Sequence, residues 1–280
     1  MILTDTPVNT EKQTMQSQVV AIDVGNTRVK FGLFRLATAK APEVIDVSAC
    51  VRQSVEQIVA ALQQWLTDRN EPTPQCFMLA GSDPDVRDAI LSQWPPQYNS
   101  PHVIARYSQI PVLTDVDYPD RVGIDRLLTT FAAWELTERQ RSVIVVDSGT
   151  ATTVDLMTSD GVFRGGSILP GLRLSAHALH DYTARLPMLD TDRELQELPQ
   201  VPGRNTEAAM LAGLYIGQLG AVRELVTRLT TAAAVQFGQP QPPLLFVCGG
   251  GGRQLVAHLP GATFADSLAL HGLAMLQKRD

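Results

Sequence analysis

Apolar and polar positions alternate along the first half of the chain in a pattern that predicts strands and helices in turn. Runs with strand character lie at 19–34, which is broken at Gly25-Asn26-Thr27, and at 43–50, 76–81 and 102–105. Helical spacing of apolar residues covers 51–68, and a second helix is predicted from Asp83-Pro84 to Trp94. The predicted order is therefore strand, strand, strand, helix, strand, helix, strand.

The second half, from about residue 141, repeats this opening. Strands are predicted at 142–149, 150–157 and 161–169, a strand leading into a glycine-rich turn at 244–252, and helices at 172–185, 205–231 and 266–278. The stretch IDVGNT at 22–27 aligns with VDSGTA at 146–151, and strand-like residues follow each of them. An internal duplication explains this match. We therefore expect a mobile tail at 1–18 and two like α/β domains, 19–140 and 141–280, with a cleft between them.

Composition and charge narrow the class of protein. Hydrophobic residues make up 44% of the 280-residue chain and charged residues 19%, which predicts a soluble globular protein with a sizeable core. The net charge of −6 and the lack of any lysine- or arginine-rich run argue against a nucleic-acid partner. No window reaches about 18 consecutive apolar residues, and the polar start is unlike a signal peptide, so no membrane partner is expected.

The three cysteines, Cys50, Cys76 and Cys248, are far apart and lie among apolar neighbours. This usage predicts buried reduced thiols and a cytoplasmic location. Neither the cysteines nor the five histidines have the spacing of a metal site.

The two breaks in the duplicated strands carry the first candidate chemistry. Each break combines an aspartate, a glycine and a threonine, which are Asp23, Gly25 and Thr27 in one half and Asp147, Gly149 and Thr150 in the other. Free N–H groups and hydroxyls of such turns cradle phosphate oxygens, and the aspartates can hold the cation that accompanies them. Two facing hairpins would then grip a nucleotide's phosphate chain from both sides. Ordinary Asp-Gly turn chemistry is the alternative, since neither a Walker A nor a dinucleotide-binding glycine motif is present.

A helix predicted within 119–137 carries the second candidate. Asp125 and Arg126 lie in its first turn, where an aspartate can accept a proton from a substrate hydroxyl and an arginine can bind a carboxylate or phosphate. Favourable interaction of Asp125 with the helix dipole explains the same residue without any function. Two further glycine-rich stretches, GGSILPG at 165–171 and CGGGG at 248–252, offer an anion site and a flat surface for adenine, or are simple turns.

In this order, the motifs resemble those of the type III pantothenate kinases, which belong to the superfamily of acetate and sugar kinases, actin and heat-shock ATPases. The matching segments are DVGNTRVK (23–30), GIDR (123–126) after Pro119, DSGTATTVD (147–155), GGSILPG (165–171), NTEAAMLAG (205–213), GG (249–250) and DSLALHGL (266–273). The resemblance spans about 19–277, and the ordered set is specific although each piece alone is modest.

The resemblance implies a fold of two ribonuclease-H-like domains with a cleft between them, and transfer of the ATP γ-phosphoryl group to pantothenate, the first step towards coenzyme A. It implies that Asp125 is the general base and that Gly123, Ile124, Asp125, Arg126 and Thr206 contact pantothenate. The implied ATP-binding residues are Asp23, Val24, Gly25, Asn26, Thr27, Arg28, Val29, Lys30 and Thr150.

Cofactors and partners follow from the same resemblance. It implies Mg²⁺, a monovalent cation (K⁺ or NH₄⁺) held by Asp147, and a homodimer with the substrate site at the subunit interface. Two positions depart from the family pattern: Val116 stands where many members have a substrate-contacting tyrosine, with Tyr118 two residues along, and Cys248 replaces the usual threonine before two glycines. A kinase for another small alcohol and a non-catalytic regulatory relative are the alternatives.

Overall fold

A computed structural model describes residues 18–36, 41–69, 74–191 and 198–277. The first sheet contains β1 (Gln18–Val24), β2 (Arg28–Arg35), β3 (Glu43–Val51), β4 (Cys76–Gly81) and β5 (His102–Ile104). Its order is β3-β2-β1-β4-β5, with β1, β2 and β3 antiparallel and β4 and β5 parallel to β1. Of the tail expected at 1–18, all but the last residue lie outside the described residues, and Gln18 already begins β1.

The second sheet repeats this topology. It contains β6 (Leu113–Thr114), β7 (Val143–Ser148), β8 (Ala151–Met157), β9 (Val162–Pro170), β10 (Leu244–Cys248) and β11 (Ala262–Phe264). The order β9-β8-β7-β10-β11 matches that of the first sheet, with the same antiparallel and parallel pairings, and β6 is added beyond β9. The expected α/β fold of two ribonuclease-H-like units is therefore confirmed.

Seven α-helices of the described residues cover the two sheets. They are α1 (Val55–Thr67), α2 (Pro84–Ser92), α3 (Ile124–Leu136), α4 (Leu172–Asp181), α5 (Thr206–Val235), α6 (Gly252–Val256) and α7 (Leu268–Gln277). The helix predicted from residue 51 begins only at Val55, because Val51 completes β3 and the hydroxyl of Ser54 caps the helix by accepting from the Gln57 N–H. The other long helices follow the predictions, except that α4 ends earlier and α5 later than expected.

The central core lies between the two sheets. Helix α7 packs on β1 and β4 of the first sheet, α3 packs on β7 and β8 of the second, and the two helices pack on one another. Large buried members of this cluster are Phe34, Phe131, Phe163, Leu270 and Leu273. Separate clusters cover the outer faces, with α1 on the first sheet and α5 on the second.

The division into domains at residues 140 and 141 stays a prediction. Strand β6 precedes that boundary in sequence but pairs in parallel with β9 of the second sheet. In the part of the chain that the structure describes, no helix is both long and apolar enough to span a bilayer.

Candidate active site

The two hairpin turns that carry the repeated aspartates face one another. The turn between β1 and β2 is closed by a hydrogen bond from Gly25 N–H to the Arg28 carbonyl at 3.1 Å, and Gly149 donates to the Ala151 carbonyl at 3.0 Å in the turn between β7 and β8. At their tips the hydroxyl oxygens of Thr27 and Thr150 are 2.7 Å apart. The duplicated turns therefore form the two sides of one cleft.

Asp23 lies beneath the first turn, half-buried near the end of β1, directly opposite Lys30 of β2. Burial raises the pKa of Asp23 from 3.8 to about 6, the positive charge of Lys30 opposes this rise, and the negative charges of Asp125 and Asp147 add to it. Burial alone would lower the pKa of Lys30, but the carboxylates of Asp23 and Asp147 outweigh burial and raise it. Lys30 is thus the cation that faces both repeated aspartates.

Asp147 occupies the equivalent place on β7, beside Cys248 of the parallel strand β10. Its pKa is raised, first by burial and further by Asp125, while Lys30 and a hydrogen bond with Cys248 act in the opposite direction. Burial, with Asp147 nearby, raises the pKa of the Cys248 thiol well above its usual range, so this thiol stays protonated. Cys248 is buried as predicted, whereas Cys50 and Cys76 are only partly buried.

Asp125 lies in the first turn of α3 and is half-exposed. Its Oδ1 atom accepts a hydrogen bond from the Arg126 backbone N–H at 2.9 Å, and Oδ2 takes no part in that bond. A Cβ at Gly123, the residue before the helix, would lie 2.5 Å from Oδ1, so only glycine leaves room for this arrangement. Because Asp125 raises the pKa of both Asp23 and Asp147, the three carboxylates share one electrostatic environment.

Arg126 pairs with Asp155 of β8, a residue to which the sequence assigned no role. The Nε atom of Arg126 lies 3.1 Å from each carboxylate oxygen, and Nη2 contacts Oδ1. Asp155 is only 1% exposed. The sequence does show an acidic residue at an inward-facing position of a predicted strand. It does not show that Arg126 is the partner, because that contact depends on the packing of α3 against β8.

The other predicted ATP and substrate residues differ in their exposure to solvent. Val24 and Val29 are buried beneath the first turn, Asn26 and Arg28 are exposed, and Ile124 is half-buried at the start of α3. Thr206, the exposed first residue of α5, is joined to Asp23, Asp125 or Asp147 by none of the interactions found among the described residues. A cavity of about 320 Å³ flanks it, lined by Pro199, Gln200, Pro202, Gly203, Arg204, Ala208 and Leu211.

Two glycine-rich stretches support the second turn. The backbone N–H of Gly171, which precedes α4, donates to the Thr150 carbonyl at 3.0 Å. Gly251 donates to the Ser148 carbonyl at 3.0 Å. Both stretches therefore contact the hairpin that bears Asp147, as two loops converging on one side of the cleft.

Of the two departures from the family pattern, Cys248 lies beside Asp147 in this cluster, and the other concerns Val116 and Tyr118. Val116 packs against the central core, and Tyr118 is 61% exposed with the Arg121 guanidinium 4.7 Å from its ring. Whether Tyr118 takes over a substrate contact stays a prediction.

Within the described residues, no three acidic, histidine or cysteine side chains are grouped as a metal site. Mg²⁺ is commonly held by one or two carboxylates together with substrate phosphates and water, so Asp23 and Asp147 fit it without a larger cage.

The duplicated sheets with their facing turns define the class of protein: an α/β protein of the fold shared by acetate and sugar kinases, actin and heat-shock ATPases. A solved structure of a conserved Campylobacter jejuni protein, assigned to the Baf family of transcriptional activators, superposes with a TM-score of 0.56. That comparison covers 92% of this chain and 97% of the other at 19% identity, so it supports the fold alone.

Sequence relatives give the family. The model of the type III pantothenate kinase family matches residues 19–228. A type III pantothenate kinase from Rhodospirillum rubrum is 32% identical, over 94% of this chain and 98% of that protein. One from Rhodopirellula baltica is 44% identical, but the match spans 52% of this chain and 50% of that protein. The chain belongs to the type III pantothenate kinase family.

Proposed function

We propose that this protein transfers the γ-phosphoryl group of ATP to the primary hydroxyl of pantothenate, which is the first step of coenzyme A biosynthesis. Family membership supports this reaction. The observation that assigns the reaction to particular residues is the electrostatic environment that Asp23, Asp125 and Asp147 share beside the two facing hairpin turns.

The hairpin turns suit a triphosphate. Lys30 supplies a cation next to Asp23 and Asp147, and the turns bring the hydroxyls of Thr27 and Thr150 to the mouth of the cleft. Phosphoryl transfer depends mainly on positioning and charge neutralisation, which these groups provide. A divalent metal, which family members use with ATP, would be held by Asp23 or Asp147 together with phosphate oxygens, and would neutralise the phosphate charge.

Asp125 serves as the general base. Its Oδ1 is held by the Arg126 N–H, which leaves Oδ2 to accept the proton of the pantothenate hydroxyl. The hydroxyl oxygen bonds to the γ-phosphorus, the bond from that phosphorus to the β-γ bridging oxygen breaks, and ADP leaves. General-base catalysis of this kind contributes about 10²- to 10⁴-fold to the rate.

The remaining proposals concern the cation and the assembly. We propose that Asp147, half-buried beside the second turn, holds the monovalent cation, K⁺ or NH₄⁺. We also propose a cytoplasmic homodimer in which Thr206 of one subunit completes the pantothenate site of the other. The exposed apolar residues Leu174 of α4, Tyr182 directly after α4 and Ile216 of α5 support the homodimer.

Replacing Asp125 tests the proposed reaction. We expect Asp125→Asn to lower kcat for pantothenate phosphorylation by about 10²-fold or more while ATP binding, measured by calorimetry, stays near wild type. Asp120→Asn, which changes an exposed carboxylate shortly before the same helix, is the matched control and should remain active. Near-wild-type turnover by Asp125→Asn would remove Asp125 from the mechanism.

The same assay separates the alternatives. Turnover with other small primary alcohols but not with pantothenate would indicate a kinase of different specificity, and no ATP turnover with any acceptor would indicate a regulatory relative. Potassium, ammonium and sodium buffers test the monovalent cation, and light scattering of the purified protein tests the homodimer.

A further inference from the structure

We propose that Asp155 is a positioning residue that fixes the direction in which Arg126 faces the substrate. This inference rests on the proposed function, because it assigns to Arg126 a contact with the carboxylate or carbonyl end of pantothenate. It adds a residue on β8, in the middle of the second sheet, to the substrate-binding machinery.

The pairing geometry is the first support. Nε and Nη2 of Arg126 form one edge of the planar guanidinium, and both face the Asp155 carboxylate. Nη1 takes no part in this pair, so the edge formed by Nη1 and Nη2 is left for another oxygen acceptor. A guanidinium held along one edge presents the other in a fixed plane, which favours a bidentate contact with a carboxylate.

Burial is the second support. Asp155 is 1% exposed, and the Arg126 side chain is 16% exposed. A buried carboxylate is costly unless it is paired, and Asp155 has two partners: the Arg126 guanidinium, which carries the opposite charge, and a hydrogen bond from Thr153. Burial raises the pKa of Asp155, and the hydrogen bonds and charge of Arg126 oppose that rise.

The surroundings of the pair restrict it further. A Cβ at Gly166, on the neighbouring strand β9, would lie 2.3 Å from the Asp155 Oδ1, so the carboxylate is pressed against the backbone there. The hydroxyls of Thr129 and Thr130 donate to the Arg126 carbonyl at 3.1 and 2.8 Å. Both ends of the arginine residue are therefore held, and Asp125, next to it in the chain, is carried by the same turn of α3.

The test is kinetic, and it uses a matched pair of variants. Asp155→Asn keeps the size of the side chain but loses the charge that holds the guanidinium. We expect the KM for pantothenate to rise roughly 10- to 100-fold with the KM for ATP nearly unchanged, as for loss of a hydrogen bond to a charged group. Asp115→Asn breaks another aspartate–arginine pair, Asp115–Arg164, at the second sheet but outside the site, and should leave both KM values at wild type.

A double-mutant cycle separates positioning from simple stabilisation. If Asp155 acts through Arg126, Arg126→Ala and Asp155→Asn together should give the same pantothenate KM as Arg126→Ala alone. Additive effects in the cycle, or equal losses for pantothenate and ATP, would overturn the proposal. If Asp155→Asn does not fold, Arg126→Lys provides a second test, because it keeps a positive charge beside Asp155. This variant should also raise the KM for pantothenate, because a lysine ammonium lacks the two planar edges with which a guanidinium can face Asp155 and the substrate at once. An unchanged KM for pantothenate in Arg126→Lys would also overturn the proposal.

Failure of the two proposals can be told apart. Wild-type protein that does not phosphorylate pantothenate overturns the proposed function and this inference with it. Active wild-type protein with an Asp155→Asn variant that behaves like Asp115→Asn overturns the inference alone.

Discussion

Asp23 shows at the scale of one residue how a binding site costs stability. Its carboxylate is half-buried near Asp125 and Asp147, and the positive charge of Lys30 offsets part of the cost of this burial and repulsion. The folded protein therefore favours the protonated form, with a pKa of about 6 against 3.8 when the residue is unperturbed. Because the pKa of Asp23 is raised in the folded state, the contribution of this residue to the free energy of unfolding is fully present below pH 3.8. It is lost as the pH rises through about 6.

Asp23→Asn should therefore stabilise the ligand-free protein at pH 8, by about 1 to 3 kcal/mol, and by clearly less at pH 4.5. Thermal unfolding of both proteins at the two pH values measures this difference. Asp181→Asn, a change at an exposed carboxylate, is the control and should shift the midpoint little at either pH. A variant less stable than wild type at pH 8 would show that pairing with Lys30 outweighs burial.

Individual site residues differ in how far the sequence predicts them. Asp23 and Asp147 stand out because an acidic residue interrupts an apolar strand twice, at matched positions, and Asp125 because it begins a helix. Asp155 and the double role of Lys30 were not found, because each depends on a partner brought near by strand register or helix docking. Pairing between elements far apart in sequence leaves no periodic signal.

At the scale of elements, the strands and helices with clear periodicity were predicted well. Strand β4 has the predicted bounds, and the bounds of β1, β2 and β3 differ by a residue or so. The elements that were missed are short: β6, β11 and α6 have too few residues to show a period. Their positions are determined by the neighbouring strands that they pair with or cover.

The contact between α3 and α7 gives a prediction about elements. A Cβ at Gly272 of α7 would lie 2.6 Å from the carbonyl oxygen of Leu128 in α3, so Gly272→Ala must push the helices apart. We expect a loss of about 1 to 3 kcal/mol in the free energy of unfolding, with reduced turnover because α3 carries Asp125.

The matched control for this change is Gly220→Ala in α5, where an added Cβ meets nothing within 4 Å. It should leave stability unchanged or raise it by about 0.5 to 1 kcal/mol, since alanine favours a helix interior. Chemical denaturation of wild type, Gly272→Ala and Gly220→Ala measures the free energy of unfolding of each protein. Equal stability of Gly272→Ala and wild type would mean that the two helices are not closely packed.

At the scale of the whole molecule, the cleft is closed by the contact between Thr27 and Thr150. If the triphosphate enters between the two turns, a covalent link at their tips should exclude it. Thr27→Cys combined with Thr150→Cys brings two thiols to within the range of a disulfide. We expect the oxidised double variant to lose ATP binding in calorimetry and to regain it on reduction.

Each single cysteine variant, treated with the same oxidant, controls for oxidation of Cys50, Cys76 and Cys248. If the oxidised double variant binds ATP as tightly as the reduced form, the nucleotide does not pass between Thr27 and Thr150.

The duplication itself was readable from two six-residue stretches, and the matching sheet orders bear it out. Helix α3 follows β5 and α7 follows β11, so they are the same element of the two repeats. Each packs on strands of the other repeat's sheet as well as on its counterpart. Either repeat expressed alone should therefore expose the face of α3 or α7 that packs on the other repeat.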